Sequence, residues 1–166
     1  MTVRKPLSFT KGDQVVYPGH GVGVVNSLKS KKIAGTKQNF IEITIADNGM
    51  KIMVPLVQAE SVGLRKVASK GQVSKVYSIL KDRETKIDTQ TWNRRFREYS
   101  QKIKTGSLYE IAKVIRDLKL LSNDKDLSFG EKKMLESAEK LLVSELCIIK
   151  SESTDAIQGE ITGFFN

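Results

Sequence analysis

The stretch Thr91-Trp92-Asn93-Arg94-Arg95-Phe96-Arg97 joins the single tryptophan of the chain to three arginines within the next five positions. An indole offers a flat apolar face, and guanidinium groups make charge-assisted hydrogen bonds to phosphate. Side by side they suit a surface that grips a sugar–phosphate backbone and presses a ring against bases. A plain structural role competes with this reading. Trp92, Phe96, Tyr99 and Ile103 recur at helical spacing, which puts them on one face, and a tryptophan on such a face is commonly core. Trp92 stands at the very start of the helix, where a side chain can project past the packed layer, so periodicity leaves both roles open. Arg94, Arg95 and Arg97 are expected at neighbouring angles around the ring, or else on a solvated helix face.

Charge points the same way. Across 166 residues the chain has 28 Lys+Arg against 19 Asp+Glu, a net charge of +9, which favours a polyanionic partner, nucleic acid first. Positive charge concentrates between Lys70 and Lys104, around the tryptophan, whereas residues 151–166 hold three acids and no Lys or Arg. The single cysteine, Cys147, excludes an intrachain disulfide, and its apolar neighbours Leu146, Ile148 and Ile149 suggest a buried thiol. With one histidine and one cysteine, a His/Cys zinc site lacks ligands, and no metal or other cofactor is expected. No apolar run reaches the length of a membrane span and MTVRKPLSF lacks a signal-peptide core, so a cytoplasmic protein is expected.

Catalytic groups are sparse. His20 lies in a Gly-rich turn with no second histidine to complete a relay. Phosphate-cradling glycine signatures are missing, and Asp124 and Asp126 flank Lys125 like ordinary loop charges. No enzyme is expected, and no small-molecule substrate; a metal-dependent nuclease is the weakest of the rival readings.

Two kinds of periodicity must position these groups. Up to about Arg65 the chain reads as short strands: Gln14–Tyr17, Val22–Val25, Phe40–Ile45 with Ile41, Ile43 and Ile45 alternating, and Met50–Val54. Pro18-Gly19-His20-Gly21 and Asp47-Asn48-Gly49 supply turns. Lys29, Lys31, Lys32 and Lys37 flank Ile33-Ala34-Gly35-Thr36, read as a loop whose charges guard an edge. Such short strands joined by Gly-rich turns suggest a small, strongly bent barrel of the SH3 or Tudor type. From about Val67 the period becomes helical: Val73, Val76, Tyr77 and Leu80 form one stripe, followed by a polar interval from Lys81 to Gln90 and a helix from Thr91 to Lys104. Ser107-Leu108-Tyr109-Glu110 and Ser128-Phe129-Gly130-Glu131 both have capping-box spacing. The expected architecture is α+β in two domains: a β-barrel over 1–66, an all-α cluster of four or five helices over 67–150, and an acidic, mobile tail over 151–166.

The opening Phe9-Thr10-Lys11-Gly12-Asp13-Gln14-Val15-Val16-Tyr17-Pro18-Gly19-His20-Gly21 resembles the start of CarD/CdnL-type bacterial transcription regulators, a module shared with the transcription–repair coupling factor. Trp92-Asn93-Arg94-Arg95-Phe96, Val114-Ile115-Arg116-Asp117-Leu118 and Leu127-Ser128-Phe129-Gly130-Glu131-Lys132-Lys133-Met134-Leu135 resemble the helical domain of CarD. A monomer is expected, and the resemblance implies that its Tudor-like domain docks on the β subunit of RNA polymerase through a strand edge. It also implies a helical domain lying on promoter DNA, with little sequence preference, at the upstream edge of the melted bubble. There Trp92 would wedge into the minor groove and stabilise the open complex, while Arg94, Arg95, Arg97, Lys102, Lys132 and Lys133 would meet phosphates. Lys31, Ile33 and Met53 fall at the family's polymerase-contact positions, Met53 where some members carry an arginine. Two other readings accompany it: a KOW-like RNA- or ribosome-binding module, and a protein-interaction adaptor with a buried tryptophan.

Overall fold

The computed structural model describes residues 8–87 and 91–166. Residues 1–7, most of the MTVRKPLSF opening, and 88–90, the end of the polar interval with Asp88, lie outside the described residues. The chain divides into two compact units, with the boundary between Val67 and Ala68.

The first unit is a five-stranded antiparallel sheet in the order β4-β3-β2-β1-β5. Its strands are β1 (Gln14–Tyr17), β2 (Gly21–Ile33), β3 (Thr36–Ile45), β4 (Lys51–Pro55) and β5 (Arg65–Lys66), with a 3₁₀ turn at Leu56–Gln58. The alternation of Ile41, Ile43 and Ile45 does what period two requires: all three are buried, beside Phe9, Val15, Val25, Val54 and Leu64. Gly23 is obligatory in β2, since a Cβ there would lie 2.7 Å from Ile43 Cγ2 and 2.8 Å from the Thr44 carbonyl oxygen. Pairing shifts register between Val25 and Ser27, so Asn26 is an extra residue in β2, a β-bulge that bends the strand.

The expected loop around Ile33-Ala34-Gly35-Thr36 is much shorter than foreseen. β2 and β3 stay paired out to Ile33↔Thr36, and the chain reverses in two residues. Ala34 and Gly35 have φ of 51° and 79°, the signs that a tight hairpin turn with right-handed strand twist needs.

The second unit has five helices among the described residues: α1 (Lys70–Lys81), α2 (Trp92–Lys104), α3 (Leu108–Asp124), α4 (Phe129–Lys150) and α5 (Thr154–Gly163). α3 is the hub, packing against α1, α2 and α4 through a broad apolar face that includes Ile111, Val114, Ile115 and Leu118. The Ser128 capping box forms: Glu131 N–H donates to Ser128 Oγ at 3.2 Å and Ser128 N–H to Glu131 Oε1 at 3.1 Å. The one expected at Ser107 does not, and Glu110 instead accepts from Lys113 Nζ at 2.9 Å. Cys147 is only partly buried, its Sγ 3.9 Å from Thr154 Oγ1.

The mobile tail is corrected outright. Residues 154–163 form α5, with Ile157 and Ile161 fully buried. An acidic composition hid a short amphipathic helix whose i, i+4 isoleucines need a partner surface. Polar contacts add to the docking: Lys150 Nζ donates to Glu160 Oε2 at 2.8 Å and to Tyr77 Oη at 3.1 Å, and Tyr77 Oη donates to the same carboxylate oxygen at 3.0 Å. Ile161→Ala is expected to cost about 2–5 kcal/mol in denaturant unfolding of this unit; a loosely attached tail would give no change.

Candidate nucleic-acid interface

Two helix starts meet at the tryptophan. Thr91 caps α2, its carbonyl accepting from Arg94 and Arg95 N–H at 3.1 Å each. That leaves Trp92 at the first helical position, half-buried. Its ring meets Phe96 edge-on at 5.7 Å and the tilted ring of Tyr99 at 6.4 Å between centroids, spacings at which aromatic pairs attract. On the other side lies the first turn of α4, where a Cβ on Gly130 would stand 3.1 Å from Trp92 Nε1. The glycine therefore clears the space into which the indole fits.

Arg95 departs from its expected role. It was placed among the phosphate-contacting cations, but it is 6 % exposed and turned inward. Its Cζ sits 5.2 Å from the Trp92 ring centroid, and Nη1 and Nη2 donate to Glu131 Oε2 at 3.2 and 3.3 Å. Glu131 is 2 % exposed and divides its carboxylate: Oε2 serves Arg95, while Oε1 accepts from Ser128 N–H and lies 3.7 Å from Lys125 Nζ. Burial alone would push this carboxyl up, but the Ser128 backbone and hydroxyl, Arg95 and Lys125 outweigh it and hold it below the usual carboxylate range. Beneath, the buried Tyr99 phenol is pushed up to about 12, first by desolvation and then by the Asp117 charge, so it is neutral.

The other arginines are not gathered around the ring. At about 100° per residue, Arg94 and Arg97 lie about 160° and about 140° from Trp92, on the outer face of α2. Both are exposed, and Arg94 Nε reaches Glu98 Oε1 at 4.0 Å. Lys102 is partly buried on the last turn, whereas Lys132 and Lys133 are exposed on α4. The cation-rich aromatic surface draws on α4 more than sequence spacing suggested. Phe129 was not anticipated as part of it, yet it is 79 % exposed, with Lys133 Nζ 5.4 Å from its ring centroid, and Phe96 is 47 % exposed. Its signal was present in the sequence: positions i+3 and i+4 from Phe129 are Lys132 and Lys133, so this ring lies off the apolar stripe of α4.

In the first unit, register puts Lys31, Ile33 and Met53 on one face of the sheet, together with Phe40 and Glu42. All three are exposed, on the side away from the core. Among the described residues β4 is an edge strand, paired with β3 alone. Leu56 and Val57, just beyond it, are exposed as well. His20 contacts the Tyr17 ring at 5.1 Å. Among the described residues no group of three or more His, Cys, Asp or Glu could hold a metal, and no helix is long and apolar enough to cross a membrane.

Residues 9–68 match the CarD-like/TRCF RID domain model, and residues 75–162 match the CarD C-terminal domain model. YdeB of Bacillus subtilis (strain 168), whose name puts it forward as a transcription factor, is 34 % identical over 142 residues, spanning 86 % of this chain and 92 % of its own. Among solved structures, the N-terminal domain of CdnL from Myxococcus xanthus is 42 % identical, covering 42 % of this chain and 97 % of its own, at a TM-score of 0.34. The 72-residue N-terminal domain of Myxococcus xanthus CarD is 33 % identical, covering 39 % and 93 %, at a TM-score of 0.32.

Two outcomes test the Arg95–Glu131 pair. Glu131→Ala removes the carboxylate that pairs with a buried guanidinium, and a loss of about 3–5 kcal/mol in denaturant unfolding is expected. Because the folded carboxyl is held low, the contribution of Glu131 is complete above the ordinary carboxylate range and lost as pH falls through the lowered value. Acid titration of Trp92 fluorescence is expected to show that transition in the wild type and not in Glu131→Gln.

Proposed function

The chain belongs to the CarD family of transcription regulators, and from that footing we propose that it binds RNA polymerase through the β-sheet unit and promoter DNA through the helical unit, prolonging the life of the open complex. The observation that carries this reading is the tryptophan: half-buried, held from below by Arg95, Tyr99 and Gly130, and flanked by exposed Phe96 and Phe129. A ring fixed in that way acts as a wedge with little conformational entropy left to lose on contact.

The first unit acts as a tether. Its edge strand β4 and the exposed face bearing Lys31, Ile33 and Met53 suit addition to a sheet edge of the polymerase β subunit. Met53 contributes apolar contact in place of a charge. Tethering raises the effective concentration of the helical unit at the promoter, so weak DNA affinity suffices.

The second unit acts on the bubble. Arg94, Arg97, Lys102, Lys132 and Lys133 meet phosphates, contacts that orient the protein and carry little sequence information. Arg94 and Arg97, on the outer face of α2, meet phosphates on a different side of the helix from the tryptophan. Trp92 enters the minor groove at a step that melting has already unstacked, and so opposes re-annealing. Arg95 acts indirectly by setting the ring. A preference of about 1.4 kcal/mol for the melted state shifts the open/closed ratio about tenfold. No bond is made or broken, and none of these steps calls for a catalytic group.

Trp92→Ala is expected to leave capture of polymerase unchanged while shortening the lifetime of open complexes challenged with competitor DNA; an unaltered lifetime removes the wedge. Arg94→Glu with Arg97→Glu is expected to lower DNA affinity and flatten its dependence on salt, whereas an unchanged slope argues against phosphate contact by α2.

A further inference from the structure

The β2–β3 hairpin outruns the rest of its sheet. β4 pairs with β3 from Phe40 to Thr44, and β1 pairs with β2 from Gly21 to Val24. Among the described residues, the outer rungs from Ser30↔Asn39 to Ile33↔Thr36 thus form a two-stranded ribbon with no third strand. Ribbons of this kind have little stability to spare.

The two faces of the ribbon differ in chemistry. The outer one bears Lys31, Ile33, Gln38 and Phe40, a mixture of charge and apolar surface. The other, which continues the side of Leu28 and Ile41, bears Ser30, Lys32, Lys37 and Asn39. Here Ser30 Oγ donates to Asn39 Oδ1 at 2.8 Å, and exposed Lys32 stands directly opposite exposed Lys37. Like charges facing each other across two strands destabilise the pairing. Neither lysine has a carboxylate partner among the described residues. None is close in sequence either: between Asp13 and Glu42 the chain has no acidic residue, and Glu42 pairs with Lys29 at 2.7 Å on the outer face.

Protection against edge-to-edge aggregation explains a lysine on each strand, but not two lysines set against each other on one face of the ribbon. A bound anion relieves the repulsion. Exposed Leu28 lies at the base of this face, but the rungs beyond it carry only Ser30, Asn39, Lys32 and Lys37, so the tip offers charge and hydrogen bonds and no apolar contact. Duplex DNA supplies closely spaced phosphates that match paired ammonium groups. We propose that the Lys32–Lys37 rung is a second phosphate-binding site, through which the β-sheet unit contacts the DNA backbone independently of the tryptophan surface.

The test uses the full chain and a fluorescent mixed-sequence duplex, with binding followed by anisotropy across a sodium chloride series. Lys32→Gln with Lys37→Gln is expected to reduce the slope of log affinity against log salt by about 1.8, the release expected for two phosphate contacts. Each single variant is expected to show about half of that, and Lys31→Gln none. The charge-retaining Lys32→Arg with Lys37→Arg keeps the wild-type slope, and an unchanged unfolding midpoint of the glutamine pair shows that it has kept its fold. An unchanged slope in the glutamine pair overturns the proposal. So does an unchanged slope combined with loss of polymerase capture, which would make the rung a protein contact. Arg94→Gln with Arg97→Gln, measured in parallel, reports on the helical surface alone, so failure of either site is distinguishable from failure of the other.

Discussion

Glu131 is the group on which the helical unit depends. One buried carboxylate closes the α4 cap, holds Arg95 of α2 and attracts Lys125 from the preceding loop. A buried ion pair is weak evidence of stability, since desolvation offsets much of its Coulombic gain. Its value here is geometric. Arg95 cannot rotate outward without abandoning Glu131, and Trp92 rests against Arg95. The start of α2, the start of α4 and the indole are thereby locked into one arrangement that no apolar contact of comparable size would orient as sharply.

The same economy appears at the far end of α4. Lys150 lies between Tyr77 of α1 and Glu160 of α5, while Ile157 and Ile161 fill the space beneath. Glu160 is held below the usual carboxylate range, first by the Lys150 hydrogen bond, and the Lys150 ammonium is correspondingly stabilised. Glu145, buried at mid-helix, accepts from the backbone N–H of Ala68 at 2.8 Å. α4 is therefore a spine with an ionic attachment near each end and a carboxylate-to-backbone hydrogen bond between them.

Most of the architecture was legible from periodicity. Ile41, Ile43 and Ile45 announced a half-buried strand, and Val73, Val76 and Leu80 a helix face, because burial selects side chains at fixed spacing. The errors share a cause. Arg95 looked like a surface cation because composition does not reveal a buried partner 36 residues away. The final segment looked mobile because its acids masked two isoleucines one turn apart. The spread of Arg94 and Arg97 away from the indole was readable from helical angles alone, and adjacency in sequence obscured it. Phe129 escaped notice as an element of the capping motif. Asn26 as a bulge left no mark in the sequence, since an extra residue is visible only against the strand it faces.

That bulge has a further consequence. Before Asn26 the odd-numbered residues of β2 point to the core; beyond it the even-numbered ones share the side of Ile41. The extra residue is absorbed entirely by β2, while β3 keeps an unbroken alternation that sets the side of every later rung. Were Asn26 drawn into the ladder as an ordinary rung, every β2 residue beyond it would change sides, carrying Lys31 and Ile33 to the inner surface and Lys32 to the outer, with no change in composition or charge. The two faces of the arm are thus set at a position that belongs to neither.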